Sequence, residues 1–406
     1  MIEKNSISLL LGAGASVKFN APTVSVLNDF IFKNSYNSYD WENSRYIPKK
    51  RLIRENTSFT SEEFSSEKFP LDKIENLLLD LYQYLREVNK ALNYEDVLGL
   101  VRYYSTYLDK GDISLGFGDI KLIKEFVFSK LETKLVDKKI AFILKKMEII
   151  ILARFHLYFE EKLEKYSKGD LRLIEELINE KHCKSIITLN NDCIIEELFE
   201  MNKIKYNDGF DNKFEIINDF DSYTYFYKYD ASKVNFFKLH GSFNYLTYFA
   251  PGNEVSRSYT LKCDYTEIVS VWALAQKANI ERKELIFHMP KIIAGSLSKE
   301  QEYSQDYYFN VIRDSTIELG KTNVLIVIGY SFGDDGVNKL INNWINLDTE
   351  NQLFIIDPYL DFNYGTLATW SKSENLENRI HLINRKVENV SYNDLINFIK
   401  EKKRVL

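Results

Sequence analysis

The sequence predicts an α/β fold, a doubly wound and mostly parallel sheet interrupted by a large helical insertion. Three observations carry that prediction. Short apolar runs of strand length recur near the start and through the second half of the chain, and several precede Gly, Asp or Pro. Strands buried on both faces read this way, continuous and not alternating. Between the runs, apolar residues recur at three- and four-residue spacing, as one buried helix face requires. Finally, residues 35–176 carry the helical pattern but no such strand run. The expected organisation is a Rossmann-like domain made of residues 1–34 and 177–406, with 35–176 as a helical insertion.

The elements follow in order. Ile7–Leu11 is the first strand, running into a glycine turn and a helix near Val24–Lys33. From 34 to 70 the text is polar and aromatic, with KKRLIRE and SEEFSSEKF, and reads as a long loop. Ile74, Leu77, Leu78, Leu81, Tyr82, Leu85 and Val88 share one helix face. Similar patterns occupy Val97–Tyr107, Ile120–Leu131 and Val136–Tyr166. Six further strand runs are Ser185–Leu189, Phe236–Leu239, Ile292–Ala294, Val324–Ile328, Leu353–Ile356 and His381–Ile383. Helices Tyr303–Leu319, Gly336–Leu347 and Tyr392–Lys403 fall among and after them.

Composition bounds the function. A hydrophobic fraction of 45% with 27 Tyr and 27 Phe suffices for a packed core and excludes a disordered chain. The net charge of −6 argues against a nucleic-acid coat, so direct nucleic-acid binding is not expected. The three cysteines, Cys183, Cys193 and Cys263, form no CxxC pair, which leaves neither a disulfide framework nor a four-cysteine zinc site. The apolar stretch before Gly12 is too short for a signal peptide, and Ala141–Ala153 is broken by Lys145, Lys146 and Glu148. A cytoplasmic protein without a membrane span is expected.

Five segments could carry chemistry. Leu11-Gly12-Ala13-Gly14-Ala15-Ser16 is a strand feeding Gly-x-Gly, whose backbone can approach a pyrophosphate; Val17 departs from the dinucleotide fingerprint. Thr188-Leu189-Asn190-Asn191-Asp192 ends a predicted strand, where an amide and a carboxylate could hold ribose hydroxyls. The same residues serve equally as a turn, with Asp192 capping a helix at Ile194–Phe199. Lys238-Leu239-His240-Gly241-Ser242 places a histidine at a strand end, a position for a general base or for a structural histidine. Gly329-Tyr330-Ser331-Phe332-Gly333-Asp334-Asp335 follows the apolar strand Val324–Ile328. Asp357-Pro358 ends the next strand, where the acid could accept both hydroxyls of an adenosine ribose or simply begin a turn.

Taken in order, strand-GAGAS, TxNxD, Lys-Leu-His-Gly, GxSxxD and an acid-tipped strand resemble the sirtuin family. The resemblance spans residues 5–30 and 184–385. It is strongest to bacterial sirtuin-like NADases of antiphage defence, in which GYSFGDD and KLHGS recur; Asn207-Asp208-Gly209-Phe210 resembles a Gly-Phe element of that branch. The resemblance implies that Ala13, Gly14, Ala15 and Ser16 line the pyrophosphate. It matches Asn190 and His240 to the catalytic asparagine and histidine, and Asp192 to the acid closing the same motif. It sets Gly329, Ser331 and Asp357 near the phosphates and the adenosine ribose.

Two departures bear on activity. The family's deacylases carry a zinc module with two cysteine pairs, which three cysteines cannot supply. Their GIPDFR-type segment is replaced by Asn20-Ala21-Pro22-Thr23, without arginine. The resemblance therefore implies hydrolysis of NAD+ to nicotinamide and ADP-ribose, with no metal. Asn190 would orient the nicotinamide ribose and the water, and His240 would take a proton. The alternatives are a non-catalytic NAD+ or ADP-ribose sensor and a sirtuin-type ADP-ribosyltransferase or deacylase. About 20 residues follow the last predicted strand, so the nucleotide-sensing module of two-domain relatives is not expected. Gating is expected from homo-oligomerisation or from a partner. The relatives of stand-alone length pair with a HerA-type ATPase, and 35–176 would be the docking surface.

Overall fold

A computed structural model of the chain describes residues 6–32, 39–42, 45–48, 71–110, 117–131, 135–210, 212–213, 223–250, 257–262, 286–288, 291–293, 306–363, 365–373 and 375–403. The chain divides into two compact units: Met1–Ala21, Lys162–Ile292 and Tyr303–Leu406 form one, and Pro22–Glu161 with Ile293–Glu302 the other.

The first unit is built on a seven-stranded sheet. Its strands are β1 (Ile7–Leu11), β4 (Cys183–Thr188), β5 (Tyr206–Asn207), β8 (Val234–Lys238), β14 (Val324–Ile328), β15 (Gln352–Ile356) and β16 (Ile380–Ile383), in the spatial order β16-β15-β14-β1-β4-β8-β5. Every neighbouring pair is parallel. From β1 the chain lays β4, the edge strand β5 and then β8 between them on one side, and returns to lay β14, β15 and β16 on the other. The switch of direction lies between β1 and β14, the place in an open α/β sheet where a ligand crevice forms.

The apolar runs explain the sheet: β1, β8, β14 and β15 are buried along their whole length. On one face Ile7, Leu9, Leu11, Ile186, Phe236, Ile326 and Phe354 join a single core. Residues of three helices complete it: α6 (Arg172–Asn179), α7 (Ile194–Met201) and α11 (Tyr392–Lys402). On the other face Leu10, Ile187, Phe237, Leu325 and Ile355 are equally buried. There α8 (Asp306–Leu319) packs against β4 and β8. Ser8 sits fully buried in this face, and its hydroxyl is paired with Ser185 at 2.8 Å and Thr322 at 2.9 Å. A one-residue slip of β1 would part these hydroxyls and turn its apolar residues to the wrong face, so they help to fix the register.

Two parts of the sequence reading change here. The run at Ile292–Ala294 does not join the parallel sheet. The strand is β13 (Lys291–Ile292), and it pairs antiparallel with β9 (Gly241–Ser242). Ala294 lies outside the described residues. A five-stranded antiparallel sheet also appears, with β6 (Asn212–Lys213), β7 (Tyr223–Thr224), β10 (Tyr245–Ala250), β11 (Arg257–Lys262) and β12 (Ile286–His288) in the order β12-β10-β11-β7-β6. Its strands mix polar and apolar residues without a long apolar run, so the pattern that marks buried parallel strands passes over them.

The second unit is helical: α1 (Val24–Phe32), α2 (Leu71–Val88), α3 (Tyr94–Lys110), α4 (Phe117–Leu131) and α5 (Asp137–Lys162). Arg154 on α5 is 1% exposed and donates to the carbonyl of Ile31 at 2.6 Å and to Glu75 at 3.1 Å, so that one cation ties three helices. Phe32 stacks on Tyr82, with ring centroids 3.8 Å apart. Within the segment 34–70, read from sequence as loop, the described residues form a hairpin of β2 (Tyr39–Glu42) and β3 (Arg45–Pro48).

Candidate active site

Strand register places the candidate residues along one edge. Leu11 of β1 stands beside Thr188 of β4 and Ile328 of β14; Thr188 stands beside Lys238, and Ile328 beside Ile356. The residues that follow each strand therefore emerge together at the carboxyl end: Gly12, Leu189, Leu239, Gly329 and Asp357. Backbone bonds continue the ladder past the strands, from Leu189 N to Leu11 O at 2.9 Å and from Leu239 N to Thr188 O at 3.0 Å.

At the switch point two glycine turns lie against each other. Gly12 N donates to Ile328 O and Gly14 N to Gly329 O, each at 2.9 Å. Gly329 has φ +64°, and a Cβ built there would lie 2.4 Å from the Ala15 nitrogen and 2.5 Å from Gly14 Cα. Only glycine satisfies both constraints. Beyond Gly12 the chain forms two 3-10 turns, Ala13–Ala15 and Val17–Phe19, in which Ala13 and Gly14 are exposed while Ala15 and Ser16 are buried. The amides of Gly12, Gly14, Ala15 and Ser16 all bond within or between the turns. What the glycines supply is close backbone approach.

Asn190 is joined to this turn. Its amide nitrogen donates to Gly12 O at 3.0 Å and to Ser16 Oγ at 2.9 Å, so the side chain is held against the glycine loop. Asp192 is 5% exposed, and its Oδ1 accepts from Ile194 N at 3.1 Å, a turn that leads into α7, whose cap position is Cys193 and not Asp192. Burial raises its pKa, against the opposing pull of Lys238 and of hydrogen bonds from Ile194 N and Ser16. Below it Lys238, fully buried, pairs with Glu196 at 2.9 Å and donates to the Asp192 carbonyl. Burial opposes the Lys238 charge, but Glu196 and its neighbours outweigh it and raise the lysine's pKa.

His240 lies in the turn between β8 and β9. The turn is sewn to the asparagine loop, since Phe243 N donates to Asn191 O at 3.1 Å and Ser242 Oγ donates to the same carbonyl at 3.2 Å. The His240 side chain is 13% exposed, and its Nε2 lies 3.4 Å from Oδ2 of Asp334. Ser331 is exposed and, with Phe332, Tyr359, Leu360, Asp361 and Thr366, lines a cleft of about 260 Å³ at the ends of β14 and β15. Asp357 shapes that cleft from below: its Oδ1 accepts from Tyr359 N at 2.8 Å and Leu360 N at 3.1 Å. This is the turn role that its Asp-Pro setting allows.

The fold thus holds Ser16 and Asn190 at the glycine turn, ties the His240 turn to the asparagine loop, and sets Ser331 with the Asp357 loop along the same edge. Residues 184–378 match the family model of the SIR2-like domain. No curated protein sequence matches the chain. Among solved structures, Sir2Tm bound to a propionylated peptide is 10% identical, with all of this chain and 95% of that one covered and a TM-score of 0.36. Sir2 in complex with an inhibitor, 2'-O-acetyl-ADP-ribose and a deacetylated p53 peptide is also 10% identical, covering 100% of this chain and 96% of that one, with a TM-score of 0.38.

Sequence reasoning passed over Asp334 and the Lys238–Glu196 pair. Asp334 had a signal, as the first acid of Gly-Asp-Asp directly before a helix, but the partner that matters is distant in sequence. No group of three or more His, Cys, Asp or Glu able to hold a metal occurs among the described residues. Nor, among them, is any helix long and apolar enough to cross a membrane.

Proposed function

We propose that this chain hydrolyses NAD+ to nicotinamide and ADP-ribose at the carboxyl edge of the seven-stranded sheet. The observation that carries the reading is that Asn190 is held on the glycine turn at the switch point while the turn bearing His240 is bonded to the same asparagine loop, in a chain whose residues 184–378 match the SIR2-like domain model. The pyrophosphate would lie over Ala13, Gly14, Ala15 and Ser16, as the family resemblance implies. Adenosine would take the cleft beside Ser331, with Gly329 and Asp357 shaping its floor. Asp192 would act from behind, fixing the turn into α7 and with it the asparagine loop.

In this reading the nicotinamide–ribose bond breaks through a cation-like state. Asn190, oriented by Gly12 O and Ser16 Oγ, positions the ribose and the attacking water. His240 accepts a proton from a ribose hydroxyl or from that water. The three cysteines cannot make a paired-cysteine zinc module, which favours water over an acyl-lysine peptide as the acceptor. An enzyme that consumes NAD+ must be restrained in its own cell. We propose restraint through self-assembly or a HerA-type ATPase partner, with NAD+ depletion serving antiphage defence, as the family resemblance implies.

The test is release of nicotinamide from NAD+ by the purified chain, alone and with the candidate ATPase, beside His240→Ala. Loss of at least about a hundredfold in rate is expected for the variant, the usual contribution of a positioned base. Its thermal midpoint should stay unchanged. A His240→Ala enzyme as fast as the parent refutes the assignment. NAD+ binding without release under either condition favours a sensor.

A further inference from the structure

We propose that Asp334 is the positioning residue for His240, holding Nε2 of the imidazole so that Nδ1 is kept for the substrate. The kinetic part of this proposal rests on the NAD+ hydrolase reading; the structural part does not.

Three observations converge on Asp334. Its two carboxylate oxygens face different partners: Oδ1 accepts from Val337 N at 3.1 Å, capping α9 (Asp335–Leu347), while Oδ2 lies 3.4 Å from His240 Nε2. A cap requires one oxygen, and a serine would serve as well; the second oxygen is what distinguishes an acid here.

The backbone of Asp334 is also caged. The Tyr330 hydroxyl accepts from Asp334 N at 3.1 Å and lies 3.0 Å from both Asp334 O and Asn338 Oδ1. The Asn338 amide in turn donates to Phe332 O at 2.8 Å. Asp334 and Asn338 are 7% and 6% exposed, so these bonds are little weakened by water.

The turn that delivers Asp334 is strained as well. Phe332 has φ +58°, a left-handed conformation disfavoured for a side chain, and its ring is buried between Tyr330 and Trp370. Such strain persists only where surrounding contacts over-determine it, and it clusters at functional sites. Here it reverses the chain between Ser331, at the cleft, and Asp334, beside the histidine.

The chemistry follows from the orientation. A neutral imidazole facing the carboxylate through Nε2 keeps its proton on that nitrogen, and Nδ1 then carries the lone pair. When Nδ1 accepts the hydroxyl proton, the O–H bond breaks, an Nδ1–H bond forms, and Asp334 stabilises the resulting imidazolium. The 3.4 Å separation is within ion-pair distance, so the carboxylate favours the imidazolium as it forms.

The experiment compares the full-length parent with Asp334→Ser and Asp334→Asn. Serine keeps the helix cap but is too short to reach the imidazole; asparagine keeps both the cap and the reach, without the charge. Ring-labelled histidine NMR is tractable, since the chain has five histidines and His240→Gln identifies the resonance. In the parent, neutral His240 should be a single tautomer protonated at Nε2. In Asp334→Ser it should become a mixture of tautomers, with an unchanged thermal midpoint.

Nicotinamide release should fall at least about tenfold in kcat with KM within about twofold, the pattern of a misoriented base. Asp334→Asn should lie between parent and Asp334→Ser. Parent-like tautomer and kcat in Asp334→Ser would overturn the proposal and leave Asp334 a helix cap. If the parent releases no nicotinamide, the hydrolase reading fails, while the imidazole spectrum still decides the role of Asp334.

Discussion

At the scale of single residues, the site depends on atoms that are missing as much as on those present. Gly329 has no Cβ because Ala15 N and Gly14 Cα occupy that space. Gly329→Ala adds a left-handed penalty of about 1–2 kcal/mol to a backbone clash. Its urea midpoint should fall, and NAD+ binding should weaken as the turns separate. A parent-like midpoint would contradict the close packing of the two turns. The Gly-x-Gly motif was legible because a turn that needs glycine can be filled by little else. The engagement of its amides was not, since their acceptors, Ile328 O and Gly329 O, come from a strand and turn more than three hundred residues along the chain.

At the scale of elements, contacts between neighbouring strands and helices set behaviour that no one segment contains. His381 on β16 faces Gln352 on β15, with Nε2 2.8 Å from Oε1, and its ring lies against Phe354 and Phe398. Burial, with the Lys402 charge, pushes its pKa down to about 4, whereas an unfolded histidine titrates near about 6.5. Between those values the unfolded chain binds more protons than the folded one, so stability falls as pH drops through that window and is intact above it. Between pH 7 and pH 5, urea unfolding of the parent should lose about 1–2 kcal/mol more than that of His381→Phe. Equal losses would show that His381 takes up its proton freely in the folded state. The helices and most sheet strands could be read from periodicity, because burial of one stripe or of two faces leaves a period in the text. The antiparallel sheet from β6 to β12 leaves none, and the apolar run from Ile292 looks like a parallel strand although β13 pairs antiparallel with β9.

At the scale of the whole molecule, ligand and fold are linked. A ligand that binds only the folded chain stabilises it by about 2.7 kcal/mol at a hundredfold its Kd. NAD+ should therefore raise the thermal midpoint of His240→Ala, where substrate is not consumed; no rise would remove the basis for an NAD+ site. The sequence by itself determined the class of fold, the places where glycine turns and polar residues follow strands, and the identity of Asn190 and His240 as candidates. It could do so because burial, turn geometry and helix periodicity are local demands on residue type. Tertiary structure alone decided the strand order, which an apolar run does not encode, and with it the switch point between β1 and β14. It also decided the contact of His240 with Asp334 and the burial of Lys238 against Glu196. Those pairs join separate elements across the carboxyl edge, and side chains so far apart in sequence meet only when the sheet is assembled.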